Sequence, residues 1–149
     1  MSSASTFGFS DAAVYIDKVV RDGRKHLTDS AVFGIKAGEE LSTVYEECRV
    51  TNWDGFNAIP VSPDTMRQAY IFLGSLPLGF PVPTVGADPD GDITFEWYKS
   101  PRRTVSISVD MDGDLHYVAL IGSSQHHGSM PFVGGIPATI QSLVRQVHS

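Results

Sequence analysis

Two acidic segments of this sequence have a spacing that could hold a cation. Residues 88–92 and residues 110–114 share the pattern Asp-x-Asp-Gly-Asp, and each segment directly precedes a run of alternating apolar residues. Calcium binds several carboxylate and carbonyl oxygens that a tight loop brings together. An EF-hand loop also needs a glutamate at its twelfth position, where these segments have Lys99 and Ile121. The pattern therefore favours plain turns, in which Asp and Gly accept unusual backbone dihedrals, over calcium sites.

Histidines and the single cysteine are the next candidates for metal binding, acid-base chemistry or nucleophilic attack. His126 and His127 are adjacent, and adjacent side chains of an extended chain point to opposite sides, so they cannot easily share one metal with His116. Cys48 directly follows two glutamates, whose negative charge raises the pKa of a thiol instead of activating it. We expect a loop histidine pair and a buried structural cysteine.

Catalytic motifs that can be recognised by their spacing are absent from the sequence. It contains no Gly-x-Ser-x-Gly elbow, no Walker phosphate loop, no dinucleotide fingerprint and no His-Glu-x-x-His. Four carboxylates could form pairs for acid-base chemistry, depending on the fold: Asp54, Asp92, Glu96 and Asp110. We predict a non-catalytic protein without a cofactor or metal. A small metal-dependent hydrolase that uses the Asp-rich turns and His126-His127 is the competing enzyme hypothesis.

Composition and charge exclude several classes of protein. The chain has 149 residues, 42% of them hydrophobic and 19% charged, which fits a single globular domain. A net charge of -6 opposes direct nucleic-acid binding, which depends on Lys and Arg contacting phosphates, and the basic cluster at residues 99–103 is short. The sequence shows neither a secretory signal nor a membrane-spanning run, and its single cysteine fits a reducing compartment. We expect a cytoplasmic protein that does not bind membranes.

The most distinctive segment is residues 51–62, Thr-Asn-Trp-Asp-Gly-Phe-Asn-Ala-Ile-Pro-Val-Ser. Its turn formers predict a fixed loop, in which Asp54 caps the turn while Trp53 and Phe56 fill the seam between helix and sheet. An aromatic loop beside a carboxylate could also anchor a partner, although we favour the structural role. The candidate partner-binding residues are Trp53, Asp54, Phe56, Glu96, Tyr98 and His116.

Helical periodicity dominates the first half of the chain. Residues 10–20 and 39–49 each place apolar side chains on one helical stripe, and we expect residues 30–38 between them to form a short extended segment. Ser62-Pro63-Asp64 is a strong helix start, because it supplies a cap, a proline at the first helical position and an acid. The face of this helix comprises Met66, Ala69, Tyr70 and Leu73, and Gly74 ends it.

Strand-like alternation replaces helical spacing in the second half. Residues 75–89 are rich in proline and predict an extended connector over the core. Alternating apolar residues predict strands over residues 93–98, 104–109 and 115–121, with Asp112-Gly113 as a hairpin turn. Residues 128–133 add a fourth, edge strand. Pro137 then opens a helix that covers one sheet face with Ile140, Leu143, Val144 and Val147.

The predicted fold class is α+β, with an antiparallel three- to four-stranded meander covered by helices. One domain spans residues 1–149, with a helical N-terminal portion over 1–50 and a loop-helix-meander-helix unit over 51–149. The other face of the sheet is mixed enough to be partly solvated and partly contacted.

The segment from Asn52 to Val61, with the later Phe95-Glu96-Trp97-Tyr98, resembles a group of uncharacterised small bacterial and phage-borne proteins. These carry a Trp-Asp-Gly-aromatic-x-Ala-x-Pro segment, a helix, a proline connector and a strand meander. The likeness covers residues 52–147, with Phe56 and Asn57 where the group has Tyr and Gly. It implies an order of elements and a bacterial or mobile-element origin, but no activity.

These observations predict a cytoplasmic protein-binding or regulatory domain with a protein partner. The sharper alternative is an acidic, phage-encoded inhibitor of the anti-CRISPR kind. Such an inhibitor occupies a basic nucleic-acid-binding surface and so blocks a phage defence system. The meander is also compatible with a homo-oligomer, because an exposed edge strand can pair with itself.

Overall fold

The computed structural model describes residues 36–149, which contain three helices and five strands. Helix α1 occupies residues 36–48 of this part of the chain, followed by α2 (Pro63–Gly74) and, after the strands, α3 (Ala138–Val147). The strands are β1 (Thr84–Ala87), β2 (Ile93–Ser100), β3 (Arg103–Val109), β4 (Asp114–Ile121) and β5 (Ser124–Pro131). The helix predicted over residues 10–20 lies outside the described residues. None of the helices within residues 36–149 combines the length and apolarity needed to span a bilayer.

The five strands form one antiparallel sheet in the order β1-β2-β3-β4-β5. The predicted α+β meander is therefore confirmed, with five strands instead of three or four. The added strand, β1, lies inside the segment predicted to be a connector. It fits there because its four residues fall between Pro83 and Pro89, so that no proline interrupts the pairing with β2. Strand β5 begins at Ser124, four residues before the predicted start, since its first residues are polar and show no apolar alternation.

The apolar alternation of β2, β3 and β4 produces one buried face, which we call the inner face. Its fully buried side chains include Ile93, Phe95, Trp97, Val105, Ile107, Val109, Leu115 and Ala119. Helices α2 and α3 pack against this face, and α3 contributes the four apolar residues that its period predicts: Ile140, Leu143, Val144 and Val147. A sheet with one apolar face needs such a cover, so the helical cover that the sequence predicts is confirmed.

Helix α2 starts as predicted, because the Oγ of Ser62 accepts a hydrogen bond from the backbone N of Thr65 at 3.1 Å. Its buried face differs from the prediction. Phe72 is fully buried, whereas Tyr70 is 45% exposed and its hydroxyl forms a 2.6 Å hydrogen bond with Ser42 of α1. This polar contact holds Tyr70 at the surface between the two helices.

Helix α1 was predicted over residues 39–49 and is already helical at residue 36, so residues 36–38 are not extended. Ala37 and Leu41 are buried, and Cys48 is buried as expected. Glu40 extends this helix's contacts to the sheet, because its Oε1 accepts a hydrogen bond from the backbone N of Val85 at 2.7 Å. The contact closes part of the free edge of β1.

Candidate functional site

The face of the sheet opposite α2 and α3, the outer face, carries polar side chains and a few apolar ones. The strand register aligns these residues in rows that cross all five strands, such as Thr84, Glu96, Ser106, Val118 and His127. Every outer-face side chain of β2, β3 and β4 is exposed or half-buried, and none belongs to Lys or Arg: Thr94, Glu96, Tyr98, Thr104, Ser106, Ser108, Asp114, His116, Val118 and Leu120.

The two Asp-x-Asp-Gly-Asp segments are neighbouring turns at one end of the sheet, which we call the acidic end. They meet because Ile93 pairs with Val109 where β2 begins and β3 ends. The Oδ1 of Asp88 accepts hydrogen bonds from the backbone N of Asp90 and Asp92, at 3.0 and 3.3 Å. Asp110 repeats the arrangement with two residues of its own turn, both at 2.9 Å. The repeated sequence pattern is therefore one turn geometry used twice.

The second carboxylate oxygen of each capping Asp is turned toward the outer face. The Oδ2 of Asp88 accepts a 3.2 Å hydrogen bond from the hydroxyl of Ser108. The Oδ2 of Asp110 lies 3.0 Å from Nε2 of His116, whose Nδ1 lies 2.7 Å from the hydroxyl of Ser129 on β5. Asp110, His116 and Ser129 thus form a hydrogen-bonded chain across β4 and β5.

Like charges are concentrated around Asp92. Burial, together with the neighbouring carboxylates of Asp88 and Asp110, raises the pKa of Asp92 from 3.8 to about 6. The hydrogen bond to Asp110 raises the pKa of His116, against the opposing effect of burial. Burial alone would raise the pKa of Asp110, but hydrogen bonds from His116 and from backbone N–H groups outweigh it, and the pKa is lowered. The carboxylates of the acidic end repel one another, and positive charge stabilises them.

A serine, a histidine and an aspartate in contact raise the question of nucleophilic catalysis. Such catalysis needs a neutral histidine that accepts the serine proton, together with donors that stabilise an oxyanion in a site shielded from water. Here the pKa of His116 is raised, which favours the imidazolium, and its side chain is 44% exposed. The arrangement favours electrostatic and hydrogen-bonding contacts over acyl transfer. Residues 36–149 also contain no group of three or more His, Cys, Asp or Glu that could hold a metal ion.

The structure divides the six predicted partner-binding residues into two groups. Glu96, Tyr98 and His116 lie on the outer face, and all three are exposed. The loop residues Trp53, Asp54 and Phe56 belong to no strand of the sheet. Ser108 and Ser129, which contact the acidic end, were missed, because only the strand register shows which serines lie beside Asp88 and His116.

The loop around Asp54 is fixed by its own side chains. Asp54 Oδ1 accepts hydrogen bonds from the backbone N of Phe56 at 2.8 Å and of Ala58 at 3.1 Å, as the capping role predicts. The indole of Trp53 donates to the carbonyl of Ile59 at 2.9 Å, and its ring is packed partly into the core.

The expectation that Phe56 fills a seam is wrong, because its side chain is 86% exposed. Residues on both sides of it, Gly55 and Asn57, have positive φ angles of 80° and 66°. The tight turn that they form is closed by backbone hydrogen bonds and does not bring Phe56 into the core.

The loop and the acidic end are neighbours. The backbone N of Ile59 donates to the carbonyl of Pro89 at 2.8 Å, which attaches the loop to the turn at residues 88–92. His126 and His127 are not part of this arrangement, and the expectation of a loop pair is wrong, because both residues lie within strand β5. They pair with Ala119 and Val118, which belong to opposite faces of the sheet, so the two imidazoles point to different sides as predicted.

Comparison with known proteins adds no relative to this description, since no protein-family model, curated protein or solved structure matches the chain.

Proposed function

We propose that this chain is a non-catalytic protein-binding domain whose outer face and acidic end bind a basic surface of a partner protein. The observation that carries the proposal is the pair of Asp-rich turns, which place carboxylates side by side at one end of a sheet face without Lys or Arg. A lysine or arginine of a partner relieves the repulsion among these groups. Electrostatic complementarity of this kind sets the partner's orientation and the association rate.

Apolar side chains beside the carboxylates supply the second component that a protein interface needs. Tyr98 is 56% exposed and Val118 is 47% exposed, both on the outer face. Aromatic residues are enriched among the side chains that dominate binding energies, with charged groups at the rim. Phe56 extends the same combination, because its loop is attached to the acidic end. The surface therefore fits a partner that is basic and partly apolar.

The sharper form of the proposal is a regulatory role in the cytoplasm of bacteria. In this form, a mobile element or phage encodes the domain as an acidic inhibitor of the anti-CRISPR kind, and the basic surface that it covers normally holds nucleic acid. The net charge of -6 and the position of the acids at one end support this form. Binding of this kind weakens as salt screens the charges.

Affinity purification from a bacterial lysate tests the proposal, with the full chain as bait at about 50 mM and about 300 mM salt. We expect a stoichiometric protein partner at low salt and at least a tenfold weaker complex at high salt. Absence of such a partner, or a complex that is insensitive to salt, contradicts the proposal.

A matched pair of double variants locates the surface. Asp90→Asn with Asp112→Asn removes two carboxylates from the acidic end, where the described contacts involve only the backbone of these two residues. Glu39→Gln with Glu47→Gln removes the same charge from exposed positions of α1. We expect the first variant to lose the partner and the second to retain it. Equal losses would mean that only the total charge matters.

A further inference from the structure

The two edges of the sheet are built differently. Edge strand β1 has four residues between Pro83 and Pro89, and Glu40 accepts the hydrogen bond of the Val85 N–H at 2.7 Å. Edge strand β5 has eight residues and pairs with β4 at every position without a register shift. Strand β5 is therefore a regular strand whose other side presents a regular series of backbone donors and acceptors.

Proteins normally protect such an edge with charged side chains, prolines, bulges or a covering segment. Strand β5 contains no Lys, Arg, Asp or Glu, and its only proline, Pro131, is the last residue. Helix α3 packs on β2, β3 and β4, away from this edge. Within residues 36–149, the backbone of β5 makes no hydrogen bonds apart from those to β4. By contrast with β1, this edge is open within the part of the chain that the structure describes.

We infer that β5 pairs with β5 of a second copy of this chain, antiparallel and about a two-fold axis, so that the two sheets become one. An isologous contact of this type needs only one surface, present on both copies. The outer face and the β5 edge are different surfaces, so the inference is independent of the partner proposed above.

The distribution of charge selects the antiparallel orientation. The acidic end lies at residues 88–92 and 110–114, while Lys99, Arg102 and Arg103 lie around the turn at the opposite end of the sheet. Parallel pairing would place the two acidic ends side by side. Antiparallel pairing places each acidic end on the same side as the cationic end of the other copy, which separates like charges and brings unlike charges nearer. This complementarity favours a second copy over an unrelated extended peptide.

Sedimentation velocity of the full chain, from about 5 µM to about 500 µM, tests the pairing, because an interface made mainly by one strand is small and concentration-dependent. We expect the weight-average mass to rise from 16.2 kDa toward twice that value. The substitution Glu40→Gln, which changes the charge at the other edge, should leave this rise unchanged. A mass of 16.2 kDa at every concentration overturns the inference.

Two proline variants test the edge itself. Consecutive N–H groups of a strand point alternately toward and away from its neighbour. Of the two variants His126→Pro and His127→Pro, one therefore removes a hydrogen bond to β4, and the other removes only a donor of the free edge. We expect that variant to keep the wild-type thermal midpoint and to remain monomeric over the whole concentration range. A folded proline variant that dimerises like the wild type overturns the inference.

Hydrogen exchange of the wild-type protein tests the pairing of β5 without any substitution. Alternate amides of β5 should gain protection of at least tenfold between the low and the high concentration. No gain overturns the pairing. Full protection already at the low concentration also overturns it, since another segment of the same chain would then occupy the edge.

Discussion

At the scale of single residues, Asp92 shows how the fold changes an ordinary side chain. Its sequence neighbours in the turn are shared by many surface loops, but the pairing of β2 with β3 also places Asp110 close to it. The folded state therefore binds a proton at this site more tightly than the unfolded chain does. As the pH rises from about 4 through about 6, this site destabilises the folded state.

We predict that Asp92→Asn stabilises the protein at about pH 7.5 by about 1 kcal/mol, a value that allows for the solvent around this partly exposed group. At about pH 2.5 the variant and the wild type should be equally stable, because Asp92 is then protonated in both folded and unfolded states. Urea unfolding at the two pH values measures the difference. Asp112→Asn, at an exposed position in the neighbouring turn, is the matched control and should change stability by less than half as much. A destabilised Asp92→Asn protein at neutral pH would contradict the prediction.

The two tryptophans differ in burial, so their truncations should differ in cost. Trp97 is 1% exposed and its indole donates to the carbonyl of Pro81 at 2.7 Å, whereas Trp53 is only partly buried. We predict a loss of about 3 to 5 kcal/mol for Trp97→Ala and of about 2 kcal/mol for Trp53→Ala. Urea unfolding followed by far-UV circular dichroism measures both. If Trp53→Ala costs as much as Trp97→Ala, the loop contributes more to the core than its burial implies.

At the scale of elements, the two acidic turns share one backbone geometry but have different surroundings. Gly91 and Gly113 occupy corresponding positions, with φ angles of 88° and 82°. A Cβ on Gly91 would lie 3.0 Å from the backbone oxygen of Pro60, which the attached loop holds in place. A Cβ on Gly113 would lie 2.9 Å from the side-chain oxygen of Gln68, at the end of a flexible chain that can move away.

We therefore predict that Gly91→Ala costs about 2 to 3 kcal/mol and Gly113→Ala about 1 kcal/mol. Both variants have the strain of a positive φ angle, but only the first also displaces backbone. Thermal and urea unfolding of the two proteins measure the difference. Equal losses of stability would show that the contact between the loop and the turn at residues 88–92 can rearrange without further destabilising the protein.

At the scale of the whole molecule, acidic charge determines how stability varies with pH. The chain has a net charge of -6, and Asp92 and His116 both have raised pKa values in the folded state. A group with a raised pKa stabilises the folded state when it is protonated, and this contribution is lost as the pH rises through the folded-state pKa. Both groups therefore act in the same direction as the general self-repulsion of an acidic protein.

We predict a melting temperature about 2 to 4 °C higher at about pH 6 than at about pH 8 in low salt. About 0.5 M NaCl should reduce this difference, because salt screens the repulsion. The variant His116→Gln should also show a smaller difference, since it removes one of the two groups. Differential scanning calorimetry measures all three effects, and a higher melting temperature at pH 8 would contradict the argument.

The sequence by itself determined those elements whose buried apolar residues recur with the spacing of a strand or a helix. Alternating apolar residues identified β2, β3 and β4 and their inner face, and helical spacing identified α3 together with its four buried side chains. The Ser62 cap and the Asp54 turn were also predictable, because their hydrogen bonds join residues close together in the chain. In each case, the physical cause is local.

Only the tertiary structure decided the rest, because the cause is contact between distant residues. Strand β1 and the first four residues of β5 lack a clear apolar alternation and are extended because each completes the hydrogen bonding of its neighbour. The same pairing brings Ser129 to His116 and sets the two acidic turns side by side. No spacing within the sequence specifies that register. The sheet thus assembles the acidic end, the outer face and the open edge of β5, on which both proposals rest.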